Sequence, residues 1–91
     1  MRNQGLFNLM TYTLSILQNS EDRFYIGQTS DLEKRIERHN AGDNPYTKHK
    51  GPWVLVYTEI FGNRGDAMIR EKQLKKWRRE LLLNLIQQFD N

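Results

Sequence analysis

Two short β-rich runs separated by four turn-forming residues constrain this chain more than any other feature. Residues 11–18 set Tyr12, Leu14 and Ile16 against Thr13, Ser15 and Leu17, the two-residue period of a strand. Asn19, Ser20, Glu21 and Asp22 then supply turn chemistry, and residues 23–27 form a second short strand, so the two runs pair as an antiparallel hairpin with Tyr25 near its end. The rest of the chain must cover that hairpin. Ser30 with Glu33 is a capping-box signature, and Leu32 and Ile36 stand one turn apart, which predicts a helix from 31 to about 40 that ends near Gly42.

Residues 41–52 carry Gly, Asn and Pro at their edges and Tyr46, Thr47, Lys48, His49 and Lys50 inside, the composition of an exposed basic loop. A third strand is expected over 53–60, with Trp53, Leu55 and Tyr57 alternating against Val54, Val56 and Ile60. Asn63, three residues ahead of Asp66, can cap a helix carrying Ala67, Leu74 and Leu81 at heptad spacing. Met68, Trp77, Leu82, Leu85, Ile86 and Phe89 widen that stripe, as one long helix or as two with a break near 79–81. The expected fold class is α/β (α+β), in the order β-β-α-β-α(-α), with a three-stranded mixed or antiparallel sheet flanked by helices. Residues 1–10 are expected to be a flexible extension, with a second methionine, Met10, just before the first strand, and residues 11–91 one domain.

Composition narrows the function classes. At 91 residues the chain has room for one core, and the absence of cysteine excludes a disulfide scaffold and a thiolate metal site. No window approaches the roughly 18 consecutive apolar residues of a spanning helix, and no apolar leader is evident, so a cytoplasmic location is the expectation. A net charge of +3 is mild, but the cations cluster at Lys48, His49 and Lys50 and again at Lys72, Lys75, Lys76, Arg78 and Arg79, as a polyanion-binding surface requires.

Four side chains invite chemistry. Glu71 lies at the border of the apolar stripe, where a carboxylate needs a partner. An exposed helical ion pair with Lys75 would contribute only about 0.3–0.5 kcal/mol, and the alternative is a ligand for a divalent ion that keeps several waters. Arg35 and His39 stand one turn apart, able to face one phosphate if their helix packs on the hairpin beside Tyr25. Singly, each is more often an ordinary surface or half-buried residue. Together they cover what phosphodiester cleavage asks for: a metal ligand, a cation for the phosphoryl oxygens and a group that handles water.

The tripeptide Tyr25, Ile26 and Gly27 is followed by Gln28 and Thr29, residues 31–35, His39 and Asn40, residues 46–48, Trp53 with residues 55–57, and residues 67–76 containing Glu71. In that order the set resembles the GIY-YIG nuclease superfamily, most of all its small single-domain bacterial branch, related to the nuclease module of the excision-repair incision enzyme. The resemblance spans about Tyr12 to Phe89 and implies a β-β-α-β-α core and one divalent ion, Mg²⁺ or Mn²⁺, held by Glu71. It further implies that Arg35 stabilises charge on the scissile phosphate, that Tyr25 positions or deprotonates the attacking water, and that His39 assists as base. A free tyrosine titrates near ~10, so its action as a base needs the metal or a neighbouring cation. Asn84 matches a polar position on the C-terminal helical segment.

By the same resemblance the chain is a metal-dependent endonuclease acting on nucleic acid, DNA favoured, with Gly27, Gln28, Thr29, Lys48, Lys50, Lys75, Lys76, Arg78 and Arg79 along the bound strand. The chain departs from the pattern at the first signature tyrosine, which falls on Ser15 in the ungapped match; Tyr12 reaches that place only through a register shift. Gln28 stands where the excision-repair module has a lysine. A rival reading is therefore a module that binds nucleic acid without cutting, and a third is a protein-interaction domain using Trp77 and the helix over 81–89. With no separate specificity domain, a partner protein or a structural preference of the substrate would choose the site.

Overall fold

The structure, a computed structural model, describes residues 10–42, 48 and 50–89. Three strands, β1 (Tyr12–Gln18), β2 (Phe24–Thr29) and β3 (Val54–Phe61), form an antiparallel sheet in the order β2-β1-β3. Three helices, α1 (Leu32–Ala41), α2 (Arg64–Lys75) and α3 (Arg79–Phe89), complete the expected order. The extension expected over 1–10 falls almost wholly outside the described residues, as do Tyr46, Thr47 and His49 of the expected basic loop.

β1 lies between the other two strands, and this placement explains why its polar-looking alternation buries both faces: Leu14, Ser15, Ile16 and Leu17 are all buried. Leu14 and Ile16 join Ile26, Tyr57, Leu74, Leu82 and Ile86 in the core beneath α2 and α3. Successive side chains of a strand point to opposite faces, so Ser15 and Leu17 turn to the other side, where Ser15 stands opposite Gly27 and Leu17 opposite Tyr25. The hairpin turn is tied by Asn19, whose side-chain oxygen accepts from the Glu21 and Arg23 amides and whose amide nitrogen donates to the Lys50 carbonyl.

Three local expectations need correction. The N-cap of α1 is Asp31, which accepts from the Lys34 amide, because the Thr29 hydroxyl accepts from the Asp31 amide and draws the chain into one more turn residue after Ser30. In β3 the register shifts between the partners of Ile16 and Leu17, so Tyr57 pairs with Ile16 but Leu55 with Leu17. A bulge at Val56 thus puts Leu55 and Tyr57 on opposite faces, which strict alternation would not allow. The C-terminal stripe is two helices, and the break falls at 76–78, ahead of the expected 79–81. The helix starts at Asn63 as its spacing requires, the side chain accepting from the Asp66 amide.

Candidate active site

Tyr25 and Gly27 are two residues apart on β2 and therefore share the face covered by α1. On α1, Arg35 and His39 are four apart and share the face turned to them. The Arg35 guanidinium lies directly over Gly27: a Cβ built at Gly27 would come within 2.2 Å of Nη2 and 2.9 Å of Cζ. Only a residue without a side chain leaves that seat open. From it Nη2 donates to the Tyr25 hydroxyl at 3.3 Å, and the guanidinium carbon stands 5.5 Å from the Tyr25 ring centre. The His39 ring packs on Tyr25 with centres 4.5 Å apart, and Trp53 closes the other side edge-on at 6.3 Å.

The electrostatics of this cluster follow from its burial. His39 is only 3% exposed, and burial, then the neighbouring Arg35 charge, hold its imidazole below the ordinary value, so it is neutral at neutral pH. Arg35 Nε is buried and has no hydrogen-bond partner among the described residues. Leaving a buried charged donor unmet costs on the order of 1–3 kcal/mol.

α1 is fixed at both ends, which is what lets it hold two side chains in place. Asp31 caps its start, and Gly42 closes its end in the left-handed region at φ 82°, donating to the Arg38 and His39 carbonyls. Next to His39, the Asn40 side chain accepts from the Trp53 amide at 2.6 Å and donates to the Trp53 carbonyl at 3.2 Å, locking the helix to the entry of β3. Sequence reasoning had no signal for this clamp, because Asn40 and Trp53 are linked only by the fold.

Glu71 sits on α2 between the buried Ala67 and Leu74, on the sheet-facing stripe. Its side chain is 23% exposed, and Lys75 Nζ bonds its carboxylate at 2.7 Å. Lys75 also lines a groove of about 590 Å³ with Phe24, Tyr25, Ile26, Leu74 and Leu82, which places Glu71 one side chain from the groove that Tyr25 borders. Among the described residues no cluster of three or more His, Asp or Glu is present. A Mg²⁺ ion bound through one carboxylate, waters and substrate phosphate needs no such cluster, and the half-buried Glu71 carboxylate fits that role.

The expected strand-contacting residues divide. Gln28 accepts from Arg64 at 3.1 Å, and the Thr29 hydroxyl is engaged with the Asp31 backbone, so both already serve the fold. Lys48 lines a hollow with His39 and Asn40, and Lys50 lines another with Arg23, Phe24 and Trp53. Lys76 ends α2. Arg78 stands 3.7 Å from Glu80, both widely exposed, and Arg79 stacks on Phe24 at 4.6 Å. Asn84 is exposed on α3. Tyr12 and Ser15 are three apart on an unbroken strand and face opposite ways, and Arg64 stacks on Tyr12 at 4.6 Å. Ser15 is 1% exposed and stands opposite Gly27.

Residues 10–85 match the model of the GIY-YIG catalytic domain. The chain belongs to the GIY-YIG family. Within it, the chain is 39% identical over 74 residues to a UPF0213 protein of Staphylococcus haemolyticus, covering 80% of this chain and 90% of that one. It is 44% identical over 72 residues to a UPF0213 protein of Clostridium perfringens, 78% of this chain and 77% of that one. The solution NMR structure of the UPF0213 protein BH0048 from Bacillus halodurans superposes with a TM-score of 0.57 at 32% identity, covering 86% and 84% of the two chains. The GIY-YIG fold, a three-stranded antiparallel sheet with three helices, and a nuclease-type catalytic domain follow from this membership. Among the described residues no helix is long and apolar enough to cross a membrane.

Proposed function

We propose that the protein is a metal-dependent endonuclease that hydrolyses nucleic-acid phosphodiester bonds, DNA favoured, in the cytoplasm. The observation that carries this reading is the Arg35 seat: a guanidinium laid over Gly27, bonded to Tyr25, with a buried donor left unmet. A phosphoryl oxygen is the kind of acceptor that a guanidinium engages most strongly. Tyr25, the more exposed partner, orients the attacking water, and the neutral His39 behind it accepts the proton as the new P–O bond forms and the opposite one breaks. Arg35 stabilises the charge that develops on the phosphoryl oxygens.

Glu71 would hold the divalent ion, Mg²⁺ or Mn²⁺, which supplies Lewis-acid polarisation of the phosphate when bound. Its present partner, Lys75, would then be released toward a flanking phosphate, with Lys48, Lys50, Lys76, Arg78 and Arg79 adding salt-sensitive contacts. A partner protein or the shape of the substrate sets where it acts.

A second reading has its own observation. Ser15, on which the first signature tyrosine falls in the ungapped match, is buried opposite Gly27, and a serine hydroxyl is shorter than a phenol. On that ground the chain would bind nucleic acid without cutting it. A labelled panel of single-stranded, duplex, flap and four-way-junction DNA and RNA, incubated with Mg²⁺, Mn²⁺ or a chelator, separates the two. Metal-dependent cutting supports the endonuclease, binding alone supports the second reading, and no binding overturns both.

A further inference from the structure

Phe24 opens β2 one residue before Tyr25, and β2 is an edge strand, so the two rings straddle its free edge from opposite faces. Phe24 borders two hollows. One, of about 590 Å³, it shares with Tyr25, Leu74, Lys75 and Leu82; the other, of about 210 Å³, with Arg23, Lys50 and Trp53. The Arg79 guanidinium lies over its ring at 4.6 Å. Arg23, Lys50 and Lys75 thus line hollows that this half-buried ring borders, and Arg79 covers its face. Among the described lining residues of both hollows none is acidic, the carboxylates paired with Arg23 and Lys75, Glu21 and Glu71, standing outside the linings. Phe24 itself packs against the edge of the core, but Arg79 is exposed and belongs to no part of that core, so core packing does not account for the guanidinium over the ring.

We propose that Phe24 is a nucleobase platform: the base of a nucleotide next to the scissile phosphate stacks on the ring face that Arg79 covers, and Arg23, Lys50, Lys75 and the displaced Arg79 take the neighbouring phosphates. The proposal rests on the nucleic-acid reading and adds a subsite to it. Every base offers a π face, so the platform is indifferent to sequence and requires only that the base be unpaired. Arg79 is a suitable placeholder, because a guanidinium satisfies the ring face by cation–π attraction yet leaves readily for a phosphate. A strand lying along the free edge of β2 would then meet Phe24 with a base and Tyr25 with the phosphate beside it.

The test is binding of short fluorescent single-stranded oligonucleotides by the full chain in chelator, so that cutting plays no part. Wild type, Phe24→Leu and Phe24→Trp are compared, each checked by thermal unfolding, on an oligonucleotide series with an abasic site moved along it. The platform predicts that Phe24→Leu weakens binding roughly 5- to 150-fold while Phe24→Trp binds at least as tightly as wild type. It also predicts that one abasic position costs wild type a similar factor and costs Phe24→Leu nothing. Binding by a folded Phe24→Leu that equals wild type, or a flat abasic scan in wild type, overturns the platform while leaving the nuclease reading in place. Should Phe24→Leu fail to fold, the abasic scan in wild type decides alone. Absence of binding to every oligonucleotide overturns the platform and the nucleic-acid reading together.

Discussion

Replacing Gly27 by alanine separates catalysis from folding more sharply than removing a catalytic side chain. The added Cβ would stand 2.2 Å from Arg35 Nη2, whereas ordinary contact begins near 3.4 Å, so the guanidinium must retreat by about 1.2 Å. What it meets is the end of a flexible side chain, not backbone, so the sheet itself is unharmed. Alanine in a strand interior even gains roughly 0.5–1 kcal/mol over glycine. Stability should therefore change by no more than about 1 kcal/mol in either direction. Activity should not survive equally, because a displacement of about 1 Å at a charge-stabilising group costs on the order of 10²-fold, near 2.7 kcal/mol of barrier. The assay is kcat/KM for metal-dependent cleavage beside thermal unfolding, for Gly27→Ala, Arg35→Ala and the double variant. If Gly27 acts only as the seat of Arg35, the double variant is no slower than Arg35→Ala alone. A Gly27→Ala protein that is folded and fully active, or effects that simply multiply, would refute the reasoning.

Other consequences stem from the same geometry. Since burial lowers the His39 pKa, kcat/KM should be flat around neutrality and fall only as pH drops through a value below 6.5; an acid limb at or above 6.5 contradicts the neutral-base role. The linked stability effect has the same sign: the unfolded chain binds the proton first, so stability is lost as pH falls from 6.5 toward the lower folded value, and His39→Gln should flatten that part of the denaturant-midpoint profile. Asn40→Ala removes both bonds to the Trp53 backbone and leaves them unmet, which should lower stability by about 1–3 kcal/mol in urea unfolding. On the opposite face, Arg70 grips Glu59 through Nε and Nη2 while the Tyr57 hydroxyl donates to the same carboxylate. Burial, and then that bond, push the Tyr57 hydroxyl up to about 12, so ultraviolet titration should find it ionising after free tyrosine, and Arg70→Ala should cost roughly 1–3 kcal/mol in the same unfolding assay.

Much of the fold was legible because its signals are local. The Asn19 to Asp22 turn, the Asn63 cap and the Gly42 stop each act within one turn of chain, and the apolar spacing of Ala67 and Leu74 marks a buried face directly. The bulge at Val56 was not legible, because it is a relation between β3 and β1 and leaves no mark on the β3 sequence. The candidate site divides the same way. Tyr25 and Gly27, and Arg35 and His39, each lie at a spacing that fixes their face, so their meeting needs only that α1 pack on the hairpin. The hold that Asn40 has on Trp53, the unmet Arg35 donor and the cations around Phe24 depend on tertiary placement, which no spacing encodes.

The most direct test compares wild type with Glu71→Ala on the substrate that wild type cuts best, measuring cleavage in Mg²⁺ and binding in chelator. Glu71 is half-buried beside an exposed Lys75, so the variant should fold. The account predicts that cleavage disappears while binding stays within about threefold of wild type, or tightens as Lys75 is freed. Undiminished cleavage by a folded Glu71→Ala would contradict it.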